Sequence, residues 1–345
     1  MPSIVQFFHP GKEHGYDKKC SINGSFYKDW NVTVNRNGNP ICHRRKFLLS
    51  EGSYIQNNKS QEGKLLFWGE WEPPSRVKEL KKFVNCSTYG VNPNFLHFPF
   101  LPSSDQLVNY QEKYFQDSHF YQNTDPFVFG DNFIYAICMQ KMKSFLKLEN
   151  SSLEKGSLIL FGSWANDRFV IDTVFVVKSK EKYSTLNDVM NMKLGIYPEI
   201  VTKFILNKNN KLHGSEVLTL YKGATADEPQ NNMYSFVPAI EYVGEEIGFP
   251  RFFMPDDFYD SKYSKYLSKS KNINSRIIER KNQGIKIINT NQDEILEFWN
   301  YIKDEVSKKH VLGVNFKMPK EEKILFKKIE YTQKNIVNRS TKSCC

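Results

Sequence analysis

The chain has 345 residues, 40% apolar and 25% charged, with a formal net charge of +10. That length and composition fit one large or two ordinary soluble domains, and the absence of any run of 18 apolar residues excludes a helical membrane span. The charge is uneven: residues 260–345 carry 19 Lys+Arg against 10 Asp+Glu, whereas residues 1–259 carry 29 against 28. A basic segment on a neutral body points to a polyanionic partner.

In chain order, residues 1–8 lack the basic-then-apolar pattern of a signal peptide, so a cytoplasmic protein is expected. Ile4–Phe8 reads as a buried strand that runs into the Pro10–Gly11 turn of HPGKEH. Residues 15–60 read as polar and irregular. Leu65–Trp68 is apolar on both faces, as in a central strand. The prolines of 85–104 predict a rigid extended loop, and residues 105–116 a short helix. Phe133–Met139 is strand-like, and 158–161 with 169–177 form a predicted hairpin around a turn at 164–167. Val217–Tyr221 and Met233–Pro238 are weaker strands, and 185–206 carries helical spacing broken at Gly195 and Pro198.

The firmest helix is 292–309. Ile295, Phe298, Trp299, Ile302 and Val306 share one face, Asn291 caps the start, and Asp293 and Glu294 sit at the positive end of the dipole. The expected fold is α+β, with a mostly β body over residues 1–258 and a helical, basic C-terminal region over 259–345, its tail disordered from about 332.

Several stretches carry residues suited to chemistry. His9, Glu13 and His14 lie at a strand end, where a rigid element positions groups that a loop exposes. Asp172 sits in FVIDTVFVV, where an apolar neighbourhood makes a carboxylate costly unless it is paired. Asp131 follows Gly130 at a strand entrance. Arg44 and Arg45 form a basic cluster, and Arg251 lies among aromatics; phosphates and stacked bases favour such pairings. Two phrases echo each other, GKLLFWGEW at 63–71 and GSLILFGSW at 156–164, and put Trp71 and Trp164 at strand ends as candidate rings for gripping a base. Glu13, His14, Asp131 and Asp172 are therefore the catalytic candidates. His9, Trp71, Trp164, Arg44, Arg45 and Arg251 are the substrate-binding ones. Six cysteines form no C-x-x-C pair, so no metal and no cofactor is expected.

The segment EKGSLILFGSW…RFVIDTVFVV resembles the strand pairs of PUA-like domains, β-barrels that read modified or flipped bases. YKGATADEP…MYSFVPA and FGDNFIYAICMQ resemble bacterial and phage families associated with nucleotide modification, a setting that includes anti-phage DNA glycosylases acting on glucosylated hydroxymethylcytosine. The likeness spans about residues 125–240. It implies a mixed sheet or PUA-like barrel, a double-stranded DNA partner with modified bases, no membrane, and excision of a flipped base to leave an abasic site in phage defence. A non-catalytic reader of modified nucleic acid is the alternative, and a nuclease the second. The Asp-Pro loop of uracil glycosylases is absent, its place taken by HPGKEH.

Overall fold

Apolar runs buried on both faces, as over Ser3–His9 and the first half of Arg168–Tyr183, build the central strands of this protein. The computed structural model describes residues 1–9, 21–22, 25–27, 45–71, 75–80, 94–102, 124–165, 168–198, 201, 217–244, 252–268 and 284–322. The strands are β1 (Ser3–His9), β2 (Ser21–Ile22), β3 (Ser25–Tyr27), β4 (Lys46–Gln56), β5 (Lys59–Gly69), β6 (Ser75–Glu79), β7 (Phe95–Pro99), β8 (Leu101–Pro102), β9 (Ile134–Tyr135), β10 (Leu158–Ala165), β11 (Arg168–Tyr183), β12 (Leu218–Gly223), β13 (Val237–Glu241), β14 (Phe252–Phe253), β15 (Gly284–Asn289), β16 (Val311–Phe316) and β17 (Glu321–Glu322). The helices are α1 (Lys143–Leu146), α2 (Leu186–Asn191) and α3 (Gln292–Ser307). The fold is α+β and mostly β.

Two mixed sheets dominate. The first runs β15-β1-β10-β11-β12-β9, with β14 on β11; the second runs β16-β13-β5-β4-β7-β6-β3-β2. In the second sheet β16 pairs with β13 and also with β4, while β13 pairs with β5 and β5 with β4. Those four strands therefore close into a ring. Closure needs Gly52, because a Cβ there would lie 2.1 Å from the Asn315 carbonyl oxygen.

Packing is layered. Val5, Phe7, Ile159, Phe161 and Phe175 of the first sheet meet Leu48, Leu65, Phe67 and Phe316 of the second in one core. The opposite face of the first sheet, with Ile4, Leu158, Leu160 and Val176, packs against α3. The α3 expectation is met closely: Asn291 Oδ1 accepts from the Glu294 N–H at 2.8 Å, and all five stripe residues are buried. Each such side chain contributes about 1.5–3 kcal/mol by leaving water.

Four differences from the sequence reading stand out. Residues 46–56, read as irregular, form an 11-residue strand. Its two serines and one glycine mask the alternation, and pairing with β5, β7 and β16 supplies the order. The strand expected over 133–139 is only Ile134–Tyr135. Part of the expected 85–104 loop is strand, β7 paired with β6. The C-terminal region contains α3, and its flanking strands β15 and β16 join the two sheets of the body. The expected helix at 105–116 and the tail from about 332 lie outside the described residues. No helix among the described residues is long and apolar enough to cross a membrane.

A β-bulge positions the candidate site. Phe161 pairs with Thr173, but Gly162 pairs with Ile171, so Asp172 is the extra residue. Before it Phe169 and Ile171 face the α3 core; after it Val174 and Val176 do, so the facing parity switches at Asp172. At Gly162 an added Cβ would lie 2.1 Å from the Val170 carbonyl oxygen. Gly162→Ala is expected to lower the unfolding free energy by at least ~2 kcal/mol, as overpacking against backbone does, in urea titrations monitored by tryptophan fluorescence.

Candidate active site

Two sheets can share a buried charge only if side chains from both reach one point in a dry interior. Here four do. β1 ends at His9, Arg45 immediately precedes β4, Glu70 immediately follows β5, and Asp172 is the bulge residue of β11. Lys46 and Gly69 are paired across the β4–β5 hairpin, which carries Arg45 and Glu70 one step further along the same ladder. His9, Arg45, Glu70 and Asp172 are each no more than 3% exposed.

Arg45 is the hub. Its Nη1 donates to Glu70 Oε2, its Nη2 lies 2.5 Å from His9 Nδ1, and its Nε lies 2.7 Å from Asp172 Oδ2. Guanidinium has only donors, so the contact to His9 needs the Nδ1 lone pair and places the ring proton on Nε2. In this tautomer Nε2 carries the donor proton. The Asp172 contact is a close ion pair, and Asp172 Oδ1 has no hydrogen-bond partner on another described residue.

Among the described residues, Arg45 serves both carboxylates. Burial pushes the Asp172 carboxyl up to about 6; the Arg45 charge opposes this rise and the Glu70 carboxylate adds to it. Burial works against the Arg45 charge, but Asp172 and Glu70 outweigh it and hold the guanidinium pKa up.

A second buried carboxyl supports the first group. Asp125 accepts from the backbone N–H groups of Ala136 (2.9 Å), Ile137 (2.8 Å) and Cys138 (2.7 Å). Tyr183 donates to the Ala136 carbonyl at 2.8 Å and Tyr135 to that of Cys138 at 2.6 Å, so the turn is held through both its donors and its acceptors. Burial pushes Asp125 up to about 7 against those three donors. Lys46, fully buried, donates to the Trp71 carbonyl at 2.5 Å.

Of the sequence candidates, His9, Arg45 and Asp172 come together. Trp71 and Trp164 do not serve as rim rings: they are 0% and 2% exposed. Trp71 packs edge-on to Phe129 at 4.9 Å between centroids and Trp164 to Phe169 at 5.7 Å, so both indoles fill core space at their strand ends. Asp131 is an exposed turn residue at φ +60° whose carboxylate accepts from Asn315 Nδ2, and it takes no part in the buried group. Glu13, His14, Arg44 and Arg251 lie outside the described residues.

Sequence reasoning read Asp125 as a turn residue before Pro126 and Lys46 as one more charge of a basic cluster, and passed over Glu70 as a site residue. The signal for Glu70 was the echo itself, since GEW and GSW put Glu70 and Ser163 at the same place in the phrase. The basic surplus also sharpens. Residues 260–268 and 284–322 carry 8 Lys+Arg and 8 Asp+Glu, so the whole excess falls on 269–283 and 323–345, outside the described residues. Lys262, Lys265 and Lys308 pair with Glu297, Glu294 and Glu305.

Arg45→Ala is expected to cost about 3–5 kcal/mol, because it removes the guanidinium that both buried carboxylates share, and urea unfolding measures it. Asp172 also predicts a pH dependence. Its folded value of about 6 exceeds the ordinary 3.8, so folding favours the protonated acid. That contribution is complete below about pH 4 and disappears as pH rises through about 6. Relative to Asp172→Asn, which cannot ionise, the wild type should lose on the order of 3 kcal/mol of unfolding free energy between pH 4 and 8. No family model, no curated protein and no solved structure matches this chain.

Proposed function

We propose that the chain is a DNA-acting hydrolase of modified nucleobases: a glycosylase that breaks the N-glycosidic bond of a flipped, glucosylated cytosine and leaves an abasic site, in phage defence. The observation that carries this reading is the buried His9–Arg45–Glu70–Asp172 group, two carboxylates held by one guanidinium where the ends of β1, β4 and β5 meet the bulge of β11. Base excision develops positive charge on the sugar, and carboxylates in a dry site stabilise it far better than water does.

In this reading water attacks C1′ while the bond to the base breaks. The electron pair leaves with the base, which takes up a proton, and the proton lost by water passes to a carboxylate. Asp172, pushed up to about 6, is ionised at neutral pH and basic enough to accept it. His9, its Nδ1 engaged by Arg45, acts as a donor that orients an oxygen. Phosphate contacts fall to the surplus cations of 269–283 and 323–345. The substrate has to reach residues that are almost wholly buried; the chain directly following His9, preceding Arg45 and following Trp71 lies outside the described residues. That burial favours, as a second reading, a non-catalytic reader of modified nucleic acid in which the same ions tie the sheets together.

Incubation with plain, hydroxymethylated and glucosylated duplex DNA, followed by alkali, separates these readings. Glycosylase action gives breaks in the glucosylated duplex only after alkali, reduced roughly 100-fold or more in Asp172→Asn. Direct cutting indicates a nuclease, and a gel shift without breaks indicates a reader.

A further inference from the structure

Ser163 lies on the strand beside His9. It pairs with His9 across the parallel β1–β10 ladder, so the two side chains leave the sheet on one face. Phe7, two residues before His9, lies in the core between the sheets, and its ring is 4.7 Å from the imidazole, which fixes that face as the inner one. Ser163 also immediately follows Gly162, one flank of the bulge that projects Asp172. Ser163 is 0% exposed, and its Oγ has no hydrogen-bond partner among the described residues. Asp172 Oδ1, 1% exposed on the side of the carboxylate away from its ion pair, is in the same condition. Buried hydroxyl and carboxylate oxygens in native proteins are satisfied by a protein group or by a water that bridges them.

We propose that Ser163 Oγ and Asp172 Oδ1 together seat the water that attacks the glycosidic carbon, with Ser163 as a positioning residue. The proposal rests on the hydrolase reading above. The serine hydroxyl accepts from one water O–H or donates to the water oxygen, and Asp172 Oδ1 accepts the other O–H and then the proton. His9 Nε2–H stands on the same face as a donor. The glycine of GSW frees the backbone at the bulge, and the serine after it points inward.

Two measurements test this. In the alkali assay, Ser163→Ala should lower kcat at least tenfold while KM stays within about twofold, since the base and phosphate contacts are untouched. Wild-type kcat in that variant, or a rise in KM with kcat kept, overturns the proposal. A high-resolution crystal structure of the wild-type chain is the second arm and needs no activity. A water within about 2.7–3.2 Å of both Ser163 Oγ and Asp172 Oδ1, gone in Ser163→Ala, supports the seat. Density in which either oxygen bonds directly to another protein group overturns it. If wild-type protein leaves no alkali-labile sites, the glycosylase reading falls by itself, and the crystallographic arm still decides the water seat.

Discussion

Arg45 is the charge on which the arrangement depends. It is fully buried and joins a carboxylate of its own sheet, Glu70, to a carboxylate and an imidazole of the other, Asp172 and His9. An isolated charge in such a place would cost far more than a domain's whole stability margin, so the ion exists only because three partners converge on it. Even with the guanidinium beside it, burial pushes the Asp172 carboxyl up to about 6. The sheets are thus registered against each other by a polar contact with direction, set within a core that is otherwise non-directional apolar packing.

Convergence of this kind needs backbone devices. On a regular strand Asp172 would share a face with Val170 and Val174; instead the bulge inserts it as an unpaired residue, and the facing parity switches there. Gly162 makes the bulge sterically possible, since any side chain would run into the Val170 carbonyl. Asp125 plays a comparable part nearby, drawing three consecutive N–H groups onto one carboxyl and so fixing the turn that carries Cys138. Cys138 lies within electrostatic reach of Arg45.

Legibility in the sequence followed the strength of the local signal. The α3 stripe and its Asn291 cap are written in one short segment, and they were readable to within two residues at the C-terminus. The β10–β11 hairpin was readable for the same reason, as two apolar runs flanking a turn. Asp172 stood out as a lone acid among apolar residues, and His9 and Arg45 as candidates of their own, but that they meet, and that Glu70 joins them, is decided only by tertiary structure. β4 was lost because SEGS interrupts its apolar pattern and its order comes from three neighbouring strands. The tryptophans misled for a physical reason: a large ring at a strand end suits a rim or a core equally well, and only the packing of Trp71 on Phe129 and Trp164 on Phe169 decides between them.

The four-stranded ring has a consequence for how the molecule is made. β4, near the start, is held on one side by β16, near the end, with Gly52 opposite Phe316. During synthesis the β4–β5 hairpin therefore leaves the ribosome with an edge that stays partly uncovered until β16 has been made. Pairings between such distant partners form slowly and leave sticky strands open in the interim. The fold should accordingly be sensitive to anything that delays or truncates translation beyond α3, even where the change lies far from the buried charges.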